Sequence, residues 1–245
     1  MSNPSAPPIQ TLLSHPDVWR AGHVGAGASG IATGYLELDD LLADRGWPNG
    51  GLIELLTART GIGELRLLGP ALARLSREQR WIVWVNPPHI PYAPALAALG
   101  LDVGKVLLVH PKNHDETLWA VEQALKSGTS SAVLAWLDET KLTATDIRRL
   151  KLAAKRGATL AVLFRPQIAA RRPSTAELRI LLHADTATDG LSLEILKRRG
   201  GWPTGQFSLY LHDRIANTTR TELRDHLSLW RSRWPRRRRN AGAVH

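Results

Sequence analysis

Residues 46–72 read Gly46-Trp-Pro-Asn-Gly-Gly-Leu-Ile-Glu-Leu-Leu-Thr-Ala-Arg-Thr-Gly-Ile-Gly-Glu-Leu-Arg-Leu-Leu-Gly-Pro-Ala-Leu72. The order is a short apolar strand, a glycine-bearing turn and the start of a helix. A P-loop uses the same order, with glycines that let backbone N–H groups close around phosphates, a Lys for the β/γ-phosphates and a Ser/Thr hydroxyl for Mg²⁺. With Gly63 set at the second glycine of G-x-x-x-x-G-K-[ST], the first glycine falls on Ala58, the lysine on Glu64 and the hydroxyl residue on Leu65. A carboxylate in the cation's place repels a polyphosphate. The alternative reading is an ordinary strand–turn–helix with a glycine-rich turn.

The flanking sequence adds ordered elements on both sides. Ile31-Ala-Thr-Gly-Tyr-Leu-Glu-Leu-Asp-Asp-Leu-Leu42 and the turn Trp47-Pro-Asn-Gly50 precede the strand Leu52-Ile-Glu-Leu-Leu56. Trp81-Ile-Val-Trp-Val85, Leu99-Gly-Leu-Asp-Val-Gly-Lys-Val-Leu-Leu-Val109, Ala120-Val-Glu-Gln-Ala-Leu-Lys-Ser-Gly128 and Ala132-Val-Leu-Ala135 follow it. Together these resemble the nucleotide-site region of RecA-type recombinases, over about residues 30–211. The resemblance implies an α/β, RecA-like P-loop-type fold: a mostly parallel central sheet flanked by helices, with a degenerate nucleotide site. In that register the catalytic Glu falls at Pro88 and the Walker B Asp at Trp136. The degenerate site is therefore Ala58, Gly63, Glu64, Leu65, Pro88 and Trp136, and the resemblance implies no enzyme activity, no cofactor and no metal. Asp138 is the stand-in carboxylate two residues on; its alternative is a surface residue opening a loop.

With Ser14-His-Pro-Asp-Val-Trp-Arg-Ala-Gly22 and a basic, Trp-containing C-terminus added, the chain resembles the ImuA family, also described as SulA-like. Membership implies a non-catalytic adaptor in SOS-induced, mutagenic translesion synthesis during repair of DNA damage. The implied partners are an inactive Y-family polymerase-like protein, ImuB, and a replicative-type polymerase subunit, with RecA and DNA as further partners. Two rival readings stay open: a SulA-like division inhibitor that binds the tubulin-like division protein, and a DNA-dependent ATPase.

The composition fits that setting. The 245 residues carry a net charge of +10, six of the positive charges lying between Arg231 and Arg239, so the tail dominates the field. There is no cysteine, which excludes disulfides, thiol catalysis and Cys-ligated metal. No apolar run of about 18 residues occurs, so no membrane span is expected and the expected location is cytoplasmic. His110 and His114 are four apart, but Pro111 breaks the helix a metal pair would need. The expected division is a flexible arm over 1–29, a core over 30–211 and a C-terminal helix with a basic tail over 212–245.

Within the core, apolar runs predict strands at Leu52–Leu56, Trp81–Val85, Val106–Val109, Ala132–Ala135, Thr159–Phe164, Ile180–Ala184, Leu191–Leu196 and Phe207–Leu211. Helical spacing predicts Leu65–Leu75, Ala93–Leu99, Asp115–Lys126 and Thr145–Lys155. Trp81, Trp84, Trp119 and Trp136 are expected in or near the core. Arg165, Arg171 and Arg172 fall where recombinases carry a DNA-binding loop; the alternative is a solvated basic loop. Lys197, Arg198 and Arg199 resemble interface cations, or else form a solvated hairpin end. In the tail, Leu227, Trp230 and Trp234 give an apolar stripe that Pro235 ends before Arg236, Arg237, Arg238 and Arg239. That pattern suits docking on a partner or on phosphates, or a helix that closes the core with a basic end.

Overall fold

Strand β1 (Leu52–Thr57) is buried at all six positions because it lies in the middle of a sheet covered on both faces. The computed structural model describes residues 30–185 and 190–211. The other strands are β2 (Trp81–Val85), β3 (Val106–Val109), β4 (Ser130–Trp136), β5 (Leu160–Pro166), β6 (Leu178–Asp185), β7 (Gly190–Lys197) and β8 (Phe207–Tyr210). They form one eight-stranded sheet in the order β3-β2-β4-β5-β1-β6-β7-β8. The pairs from β3 to β6 are parallel, and β6–β7 and β7–β8 are antiparallel, so the sheet is mixed.

Parallel neighbours need crossovers. These are α2 (Glu64–Leu75), α3 (Ala93–Ala98), α4 (His114–Lys126) and α5 (Ala144–Gly157), while α1 (Leu36–Leu41) precedes β1. One core packs Leu38, Leu67, Leu68 and Leu72 of α1 and α2 against Ile53, Leu55, Trp84 and Ile180. The other packs Leu118, Val121 and Leu125 of α4 and Ile147 and Leu150 of α5 against Leu52, Val83, Val133 and Leu163. From β5 to β6 the chain crosses β1 without an α-helix. A 3₁₀ turn, Gln167–Arg171, does this work, its Ala169 packing on Leu56 and Leu181.

Each expected strand and helix of the core is present, with ends that move by one or two residues; α1 and the 3₁₀ turn were not expected. Helix α5 starts one residue before the expected Thr145. Thr143 and Asp146 form a reciprocal capping box at its N-terminus. At its other end Gly157 is required: a Cβ there would collide with the Leu125 carbonyl of α4. The tryptophan expectation needs correction. Trp84 is fully buried and Trp136 packs against the same core, but Trp119 is 62% exposed and Trp81 40% exposed. Trp119 follows Leu118 around the helix and points away from the Leu118–Val121–Leu125 stripe that faces the sheet. The expected arm (1–29), the tail with Leu227, Trp230, Trp234 and Arg236–Arg239, and their helix lie outside the described residues.

Candidate functional site

Two constructions stand at the C-terminal end of β1 and beside it. The first is the turn after β1. Thr57 anchors its base: the hydroxyl donates to the Arg59 carbonyl at 2.7 Å and accepts from the Arg59 N–H. Gly61 and Gly63 take left-handed φ values of 82° and 118°, which turns successive N–H groups inward. Such a concavity attracts an anion, more so at a helix N-terminus. Here the anion is the chain's own. Glu64, the first residue of α2, folds its carboxylate back and accepts from the N–H groups of Gly61 (2.7 Å), Ile62 (2.9 Å) and Gly63 (3.1 Å). The side chain is buried in the act, and Leu65 beside it packs on the core. A phosphate would have to displace a tethered carboxylate that already satisfies the donors.

The remaining residues of the expected site offer no substitute chemistry. Ala58 and Pro88 are exposed. Trp136 stacks on Phe164 at 4.4 Å between ring centroids and meets Trp84 at 5.9 Å, so it is a packing residue at the end of β4. Asp138 closes its own turn by accepting from the Thr140 N–H and hydroxyl, bonds that hold its carboxyl below the usual range. Among the described residues no group of His, Asp and Glu could hold a metal, and no helix is long and apolar enough to cross a membrane.

The second construction is an ion network that the sequence reading did not find. Glu54, at an inward position of β1 between Leu52 and Leu56, is fully buried. It is bound from both neighbouring strands: Arg165 of β5 donates at 2.7 Å and Arg179 of β6 at 2.6 Å, with the Ser174 hydroxyl at 2.6 Å. Arg165 also makes a two-pronged pair with Glu139 at 2.9 and 2.6 Å, and Arg172 reaches the same carboxylate at 3.3 Å. Burial by itself would lower the Arg165 pKa, but its bonds to Glu139 and the charges of Glu54 and Glu139 outweigh it and hold the guanidinium firmly charged. Arg165 is therefore not the free phosphate-contacting cation expected of a DNA loop. Its fork matches carboxylates bidentately and is spent on them. The visible signal was a charge inside each of three apolar strands.

The other expected cations are tied to their own chain. Lys197 donates to the Ser174 carbonyl at 2.8 Å. Arg198 donates to the carbonyls of Trp202 and Leu41, and Arg199 pairs with Asp44. Arg171 and Arg172 are exposed.

Part of this chain is similar to known proteins. The family of the cell division inhibitor SulA matches residues 53–161, from β1 into β5. Among curated relatives, the cell division inhibitor SulA of Edwardsiella piscicida is 39% identical over 113 residues, covering 45% of this chain and 66% of that protein. That of Photorhabdus laumondii is 36% identical over 114 residues, covering 46% and 63%, and that of Yersinia pestis is 40% identical over 101 residues, covering 41% and 59%. The chain thus spans somewhat under two thirds of the length of the relatives it matches. Among solved structures, SulA from Pseudomonas aeruginosa is similar at 29% identity with a TM-score of 0.39, covering 49% of this chain and 99% of that one.

These matches correct the earlier expectations. The RecA-like P-loop-type assignment gives way to a SulA-like one, because the strand–turn–helix that suggested it lies inside the matched segment and its turn is closed by Glu64. Of the ImuA resemblance, only its SulA-like part is supported. The translesion setting and the partners drawn from it, ImuB, a polymerase subunit, RecA and DNA, are overturned with it: the matched relatives are named as division inhibitors.

Proposed function

We propose that this chain is an inhibitor of cell division that acts by binding a protein of the division machinery, the tubulin-like division protein being the target. The observation that carries the reading is the family match over 53–161 together with relatives 36–40% identical over 101–114 residues. The geometry is consistent with it. The matched segment has a self-filled turn, and it exposes large apolar side chains, Ile90 at 63%, Tyr92 at 73% and Trp119 at 62%, of the kind that anchor protein interfaces.

The test is expression of the full chain from an inducible promoter in a rod-shaped bacterium, with cell length scored, alongside sedimentation of purified tubulin-like division protein with and without the chain. Filaments that divide again once induction stops, with less polymer sedimented, are the expected result. Cells of normal length together with unchanged polymer would overturn the proposal. Trp119→Ser sharpens it: an exposed indole contributes little to the fold, so the variant should keep its melting temperature and lose inhibition if α4 faces the target.

A further inference from the structure

Beyond residue 161, where the family match stops, the chain adds to a cationic cluster that the acids among the described residues do not balance. β5, the Gln167–Arg171 turn, β6 and the end of β7 bring Arg165, Arg171, Arg172, Arg179 and Lys197 into one neighbourhood, with Lys151 of α5 beside them. Three carboxylates face these six cations: Glu54, Glu139 and Glu177. Glu54 is shared by Arg165 and Arg179, Glu139 by Arg165 and Arg172, and Glu177 pairs with Lys151 at 3.7 Å.

Two cations are left over. Arg171 is exposed and its guanidinium has no hydrogen bond or ion pair among the described residues. Among the described residues Lys197 hydrogen-bonds only to the neutral Ser174 carbonyl. Partial burial, then the charges of Lys151 and Arg179, hold its pKa below the ordinary lysine value in spite of Glu54 and Glu177. Arg172 is half-satisfied, its side chain 56% exposed while it shares a carboxylate already taken by Arg165. Ile168, in the same 3₁₀ turn, is 57% exposed.

We propose that the Gln167–Arg171 turn and the end of β7 form a docking surface for a short acidic segment of a partner protein, with carboxylates meeting Arg171, Arg172 and Lys197 and an apolar side chain resting on Ile168. Arginine forks take carboxylates in two-pronged pairs, as Arg165 already does with Glu139 inside the cluster. A nucleic-acid backbone is a poorer fit, since affinity for it is summed over many phosphate contacts and the surface offers three cations around one aliphatic knob. The surface lies outside the matched segment and is independent of the division-inhibitor reading. Peptide binding in solution and cell length test the two separately.

The experiment measures fluorescence anisotropy of a short labelled peptide alternating Glu and Ala, its Gln counterpart and a labelled oligo-dT, each titrated with the full chain at low and at physiological salt. The chains compared are wild type, Arg171→Ser/Lys197→Gln, and a variant with Arg236–Arg239 replaced by Ser. The Glu peptide should bind and the Gln peptide should not. The Arg171→Ser/Lys197→Gln pair should lose roughly 10-fold in affinity while still unfolding in one cooperative transition, and the tail variant should keep its binding. Arg171→Ser alone, at a residue with no side-chain hydrogen bond or ion pair among the described residues, should show part of the same loss. The proposal is overturned by equal affinity in wild type and the double variant, by a loss confined to the tail variant, or by oligo-dT binding that exceeds the peptide's and falls with the same substitutions.

Discussion

At Glu64 one carboxylate accepts three N–H groups that the turn before α2 would otherwise present to an open concavity. Removing it leaves those donors to water in a partly buried setting, so Glu64→Ala should lower stability by about 1–3 kcal/mol in urea denaturation. Glu64→Gln keeps an acceptor and should lose less. Neither variant should hydrolyse ATP; turnover by either would refute the non-catalytic reading. Lys197 makes a prediction of opposite character. Its pKa is lowered by folding, through burial and the nearness of Lys151 and Arg179 against Glu54 and Glu177. Between the folded value and the ordinary one of about 10.4, the unfolded chain binds more protons, so stability rises with pH there. Measured against Lys197→Met, the wild type should therefore gain stability as pH climbs toward that ordinary value. A flat or falling difference would remove the stated cause.

Among the elements, the C-terminus of α5 and the strand trio β5–β1–β6 carry the most concentrated polar bonding. Arg80 gathers the carbonyls of Gly157 at 2.8 Å, Ala158 at 3.1 Å and Gly128 at 3.1 Å, serving orphan groups at a helix end and favouring its negative pole. Arg80→Ala should lose about 1–2 kcal/mol, read as a lower denaturation midpoint; no change would show that water serves those carbonyls as well. Glu54→Ala should be worse. It leaves Arg179 with carbonyl partners only and Arg165 with one carboxylate, all at buried positions, and removing one partner of a buried pair costs about 3–5 kcal/mol. A loss under about 1 kcal/mol would contradict the network. The strands were legible because apolar runs of four to eight residues are strands when turn residues bound them. The network was not. That Arg165 and Arg179 converge on Glu54 follows from β1 lying between β5 and β6, and linear spacing holds no record of lateral order. Likewise the Gln167–Arg171 turn read as a free basic loop, since only its Ala169 and Ala170, packed under it, mark the buried side. Glu64 shows a subtler limit. Its place in the motif was legible as a repulsive charge, but its fold-back onto the turn depends on Gly61 and Gly63 adopting positive φ.

For the whole molecule, the described residues, all within 30–211, build one sheet and three apolar clusters. The two faces are served by different parts of the chain, α1–α3 on one and α4, α5 and the 3₁₀ turn on the other, so neither can be dropped without uncovering the sheet. This makes 30–211 the smallest unit that should fold alone. A fragment of those residues should unfold in one cooperative transition, with a melting temperature within a few degrees of the full chain. Cutting after Glu177 is the decisive comparison. It removes β6, which pairs with β1 from Ile53 to Thr57, and takes Arg179 from Glu54 and β7 and β8 from the edge. The most buried strand then becomes an open edge with a half-paired carboxylate, a surface prone to aggregation. The shorter fragment should be insoluble or lack a cooperative transition in calorimetry. Cooperative unfolding of the fragment ending at Glu177 would show that the antiparallel strands are an appendage, and that the parallel strands with their helices hold the fold by themselves.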